Sequence, residues 1–189
     1  MADNTKTDDG LAIELEEAKA ILKVAYLLTA IDGTICEREQ AQFRVIMKRF
    51  LGEHYTTPEG VAYLEDVAEE ARKLLALRAF YMDETEAVTE DNAFLKVFVA
   101  KATPSLATIM KSRLAVRSAF AVWIGICCTD REYTPIERLA VKLLQTTILE
   151  SAKIFTPSII PESSFLPPAL ETLRRTLTIV INDWDLYKR

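Results

Sequence analysis

Asp32-Gly33-Thr34-Ile35-Cys36-Glu37-Arg38-Glu39 and Asp130-Arg131-Glu132-Tyr133-Thr134-Pro135-Ile136-Glu137 stand 98 residues apart (130 minus 32), each between two apolar, helix-patterned runs. Both stretches carry an Asp, a branched or aromatic residue three positions on and a Glu seven positions on. One corner used twice is the simplest reading. It predicts an all-α fold: a single compact bundle of about seven helices in two pseudo-symmetric helical-hairpin halves.

Working outward, Leu11, Leu15, Ala18, Leu22, Ala25 and Leu28 recur at spacings of three and four and draw one apolar stripe into the first corner. A second helix is predicted over about Glu37 to Leu51, with Phe43, Ile46, Met47 and Phe50 inward and Gly52 as the stop. Thr57-Pro58-Glu59 reads as a helix start, because a hydroxyl caps the helix and proline fits its first turn. That helix is expected to run to about Met82, burying Val61, Leu64, Val67, Ala71, Leu74 and Leu75. An acidic connector, 83–91, and a short helix over about Asn92 to Ala102 follow. Thr103-Pro104 repeats the start signal, so a long central helix is predicted from Pro104 to about Cys128. Thr134-Pro135-Ile136-Glu137 satisfies a capping box and opens a helix to about Phe155. The proline-rich stretch 156–168 reads as a loop, and a last helix carries Leu170, Leu173, Leu177, Val180, Trp184 and Tyr187 in one stripe.

The 189 residues are half apolar, with only 5 Gly and 7 Pro, which suits one helical domain with a substantial core. Residues 1–10 are polar and are expected to be a disordered tail, leaving 11–189 as the domain. A net charge of -5 opposes the phosphate backbone, so no nucleic acid is expected as a partner. The longest apolar run, Ala119 to Cys128, is about half of the roughly 20 residues that span a bilayer, so no membrane span is expected. Three cysteines, two of them adjacent, and an acidic rather than basic-then-apolar beginning point to the cytoplasm.

Candidate chemistry centres on the carboxylates. Asp32 to Glu39 matches the back half of a calcium-binding EF-hand loop, but Leu28 and Ala30 occupy the front ligand positions and offer no oxygen, which excludes that site. A short acid in a turn ordinarily bonds the turn's own backbone and faces the positive end of the next helix. Should the two corners pack face to face, Asp32, Glu39, Asp130 and Glu137 would form a set suited to a hard divalent cation. Cys127 and Cys128 point about 100 degrees apart on a helix and read as core residues. Cys36 and the only histidine, His54, have no third group to orient them as nucleophile and base. The chain is accordingly expected not to be an enzyme. Trp184 and Tyr187 are natural interface anchors, whether the last helix seals the core or pairs with a second copy in a homodimer.

With the corners in view, Ala25 to Glu39 resembles the TerB-like superfamily, named for the tellurite-resistance protein TerB and including the N-terminal domain of DjlA, and Trp123 to Glu137 is a weaker copy. The resemblance implies a bundle of some seven helices in two related halves. It further implies metal association through Asp32, Glu39, Asp130 and Glu137, and roles in stress response or protein assembly, without catalysis. Cys36 stands where the family has a hydroxyl, and Arg131 where it has Gly.

Overall fold

The computed structural model describes residues 5–6, 12–81, 89, 92–129 and 133–155, side chains being described for most of these. Two short strands, β1 (Thr5–Lys6) and β2 (Ala12–Ile13), pair antiparallel within and just beyond the predicted tail. Six α-helices follow: α1 (Leu15–Leu28), α2 (Glu37–Leu51), α3 (Pro58–Tyr81), α4 (Ala93–Ile109), α5 (Arg113–Cys127) and α6 (Pro135–Phe155), with a 3-10 turn, Gly52–Thr56, between α2 and α3. The all-α bundle is as predicted. The helices number six among the described residues, and the predicted seventh lies outside them.

The central element is α1, not the predicted helix from Pro104 to Cys128. Ala18, Ile21, Leu22, Val24, Ala25, Leu27 and Leu28 are buried almost all round its circumference, and α2, α3, α4 and α5 pack against it. A helix apolar over most of its circumference has to be surrounded on most sides. The predicted break before Pro104 and the predicted continuity after it are both overturned. Helix α4 runs through Pro104 to Ile109, and the chain turns at Met110 to Ser112 instead. Proline inside a helix costs on the order of 3 kcal/mol. Here Phe94, Leu95, Phe98, Ala102, Leu106 and Ile109 keep one buried face in register across it, and burial of that face offsets the cost. Ser112 then caps α5 by accepting from the Ala115 N–H.

Long-range polar contacts tie α3 and α5 to α1. The Trp123 indole N–H of α5 donates to the Ile21 carbonyl at 3.1 Å, and Lys23 pairs with Glu70 of α3 at 2.9 Å. Tyr63 of α3 donates its hydroxyl to the Lys19 carbonyl. Val61, expected inward, is 44% exposed, because the first turn of α3 packs on the 3-10 turn and not on the core. A Cβ on Gly60 would stand 1.9 Å from the His54 carbonyl oxygen, so only glycine admits that close approach. No helix among the described residues is long and apolar enough to cross a membrane.

Candidate functional site: the two repeated corners

The repeat extends to the helices themselves. Helices α1 and α5 start 98 residues apart (113 minus 15), as do α2 and α6 (135 minus 37). The bonds that make each corner share that offset. Ile31 N–H donates to Leu28 at 3.1 Å in the first, and Thr129 N–H donates to Ile126 at 3.0 Å in the second. Cys36 N–H donates to Glu39 Oε2 and Thr134 N–H to Glu137 Oε2, both at 2.8 Å. In return the Glu39 N–H donates to Cys36 Sγ, and the Glu137 N–H to Thr134 Oγ1, both at 3.4 Å. One residue further on, Gln40 donates its amide to the Ile35 carbonyl, where Arg138 donates its guanidinium to the Tyr133 carbonyl. Both halves therefore close a helix start with the same reciprocal pair of bonds. A thiol does in one what a hydroxyl does in the other, and Cys36 proves a working cap.

Each predicted acidic ligand that can be followed has a structural occupation. Asp32 Oδ1 accepts from the Thr34 N–H at 3.0 Å and Oδ2 from its hydroxyl at 3.3 Å, a side-chain turn that holds Gly33 at a φ of 99°. Glu39 and Glu137 are each 3% exposed and accept from the backbone at their helix starts. Asp130 lies outside the described residues. Among those residues no three His, Cys, Asp or Glu side chains stand together as a metal-holding group.

What the second corner brings together is a buried thiol and the Glu137 carboxylate. Cys127, at the last turn of α5, is buried, and burial pushes its thiol well above the ordinary range. Glu137, Cys128 and Glu39 add to the shift in that order, and the thiol is hydrogen-bonded to Glu137. A neutral donor facing a buried carboxylate stays protonated. Sequence reasoning placed Cys127 in the core without this company. The available signal was its position, 98 residues after Thr29 at the end of α1 (127 minus 29), where the Thr29 hydroxyl donates to the Tyr26 carbonyl.

Cys127, Tyr63 and Tyr133 are all held neutral. Burial raises each first, and nearby acids or thiols raise it further. Their folded pKa values exceed the unfolded ones, roughly 8.5 for Cys and 10 for Tyr. The stabilisation is thus complete below about pH 8.5 and is lost as pH rises through and beyond the unfolded values. Melting temperature is expected to fall as pH is raised from about 8.5 to 11, and an alkylating reagent at neutral pH should modify Cys127 only after unfolding. A flat melting temperature across that range, or native-state labelling of Cys127, contradicts the assignment.

Cys36 and His54 do not form a couple. Cys36 bonds within its own cap, while His54 Nδ1 lies 3.3 Å from Thr57 Oγ1 in the 3-10 turn. An apolar cleft of about 540 Å³ lies beside that turn, lined by Tyr55, Val61, Leu64, Ala68 and Arg72, with Glu65 at its rim. Another, of about 430 Å³, runs between α4 and α6. At the far end of α3, Phe80 is 81% exposed and Tyr81 42% exposed, their rings edge to face with centroids 5.1 Å apart. Trp184 and Tyr187 lie outside the described residues. Comparison of the chain with models of known protein families, with curated proteins and with solved structures found no match.

Proposed function

We propose that this chain is a non-catalytic, TerB-like helical domain that works by holding a protein partner. The observation that carries the reading is the solvated Phe80–Tyr81 pair at the end of α3. Two large rings left in water forfeit the free energy that burial would supply, and aromatic anchors of this kind dominate binding energy once a partner covers them. The acidic side chains that would suit chemistry are instead engaged in turns and caps, and the register shared by the two corners supports the family likeness. On this reading the net charge of -5 favours a partner with a basic rim around an apolar centre. The cytoplasm, and a role in stress response, remain part of the same proposal.

The test compares the natural chain with Phe80→Ser/Tyr81→Ser in affinity capture from extracts, each protein checked by thermal melting. Both side chains are exposed, so melting temperature is expected to stay within a few degrees while recovery of the specific partner drops roughly tenfold or more. Equal recovery by the two proteins removes the α3 end as the contact surface. Purified chain that turns over a substrate removes the non-catalytic reading altogether.

A further inference from the structure

Among the described residues four large apolar side chains are exposed: Val45, Val61, Phe80 and Tyr81. The two rings belong to the surface proposed above. The two valines lie elsewhere, on faces of opposite charge. Around Val45, 64% exposed, the solvent side of α2 carries Arg38, Arg44, Lys48 and Arg49. Its one exposed acid is Glu37, and Ala41 and Gln42 complete the face. None of the four cations makes an ion pair among the described residues, whereas Lys19, Lys23, Arg72 and Lys73 on α1 and α3 all do. Arg44 and Lys48 are like charges four positions apart, and Arg38 lies in the positively polarised first turn; both placements weaken the helix taken alone. Val61 has the reverse setting. The first half of α3, residues 58–70, holds five acids and no Lys or Arg. Glu65 and Glu69 repeat the spacing of Arg44 and Lys48 with the sign changed. Glu59, Glu65 and Asp66 are exposed and make no ion pair among the described residues, while Glu69 pairs with Arg72 and Lys73 further along. Val61 also lines the apolar cleft of about 540 Å³ that has Glu65 at its rim, ample for an aliphatic side chain.

We propose that the outer face of α2 docks on the first half of α3 of a second copy of this chain. Val45 enters the cleft beside Val61, and the cations of α2 meet Glu59, Glu65 and Asp66. Charge complementarity selects this occupant, because both signs and both exposed valines stand on the one chain. The five-residue turn Gly52–Thr56 joins the two helices, so a two-fold pair makes the contact twice, once in each direction. A second copy also relieves the like-charge spacing on both helices together. An extended polyanion would suit α2, but the acids of α3 and a net charge of -5 repel it. A membrane surface takes up bulky apolar residues, and this face offers only Ala41 and Val45. Phe80 lies about 28 Å along α3 from Val61, so the pairing leaves the aromatic end open to a different partner.

Sedimentation of the full chain from about 1 μM to about 1 mM tests the pairing. A dimer is expected whose dissociation constant rises roughly tenfold between about 0.05 M and about 0.5 M salt, since screening weakens exposed charge pairs. Arg44→Glu/Lys48→Glu and Glu65→Lys/Asp66→Lys alter exposed residues only, so each is expected to keep its melting temperature within a few degrees. Alone, each is expected to dimerise roughly a hundredfold more weakly, because like charges then face each other across the contact. Mixed one to one, the two variants restore both contacts with the charges exchanged, and a heterodimer is expected. A natural chain that stays monomeric at about 1 mM overturns the proposal. So does a dimer that either reversal leaves intact, and so does a mixture of the two variants that stays monomeric. Binding of duplex DNA or of anionic phospholipid vesicles by a monomeric natural chain, lost in Arg44→Glu/Lys48→Glu, overturns it in favour of a polyanion.

Discussion

Trp123→Ala is expected to lower stability by about 3–5 kcal/mol, the range for emptying a fully buried large aromatic site. Trp123 is 0% exposed and meets Phe120 edge to face at 5.0 Å between centroids. Its indole N–H reaches the Ile21 carbonyl in the middle of α1, 102 positions away in sequence. Alanine leaves a cavity where α5 touches the central helix, and the neighbouring side chains are held by their own helices and close it only in part. For a domain of this size the loss corresponds to a fall in melting temperature of roughly 6–20 °C. Trp123→Phe keeps most of the volume, gives up the hydrogen bond and should lose only about 1–2 kcal/mol. Denaturant unfolding of the two variants separates packing from hydrogen bonding. A loss under about 1 kcal/mol for the alanine variant would mean that α5 does not pack on α1 as described.

Gly33→Ala is the second large effect, about 2–4 kcal/mol, and it acts at the first corner. Gly33 has a φ of 99°, a region in which side-chain-bearing residues are strained by on the order of 1–3 kcal/mol. A Cβ there would also lie 2.3 Å from Nη1 and 2.7 Å from Cζ of Arg78. The guanidinium has room to retreat, but only by releasing its 2.9 Å bond from Nε to the Ile31 carbonyl, a further loss of about 1 kcal/mol or more. Arg78→Ala alone gives up that bond without any backbone strain. In its background Gly33→Ala should show the strain alone, so the double variant is expected to lose less than the two singles added together. Additive losses would show that the close approach of Arg78 to the turn is not what constrains position 33.

These two substitutions mark the division between local and distant information. The starts of α2, α3 and α6 were readable because a cap is a bond between residues three apart. The same holds for the corner repeat, whose Asp, Glu and apolar positions lie within eight residues of one another. Thr57 and Thr134 each cap a helix whose first residue is proline, as the sequence pattern implies. Thr103-Pro104 presents the same two letters and does the opposite, lying inside α4 with the Thr103 hydroxyl donating back to the Val99 carbonyl. The Thr-Pro pair by itself does not distinguish the three cases, although only Thr134 is followed three residues on by the Glu of a capping box. The difference is the shared buried face of α4, which exists only because α1 and α6 cover it.

The candidate site divides in the same way. Turn and cap roles for Asp32, Glu39 and Glu137 follow from their spacing, and their hydrogen bonds bear out that local reading. That Glu39 and Glu137 both act on one thiol, Cys127, was not legible, since it depends on how α2, α5 and α6 meet. The aromatic pair was equally hidden. Phe80 and Tyr81 continue the apolar run of α3, and only the end of the packed bundle short of them leaves both rings in water.

By itself, then, the sequence determined the all-helical class, most helix starts and the duplicated corner, because each arises from contacts within one or two turns of chain. The tertiary structure alone decided that α1 is the axis of the bundle, that a proline lies within α4, and that a neutral thiol is buried against Glu137. Those outcomes depend on which apolar faces meet, and burial, being proportional to area and indifferent to direction, selects partners far apart in sequence that no local pattern specifies.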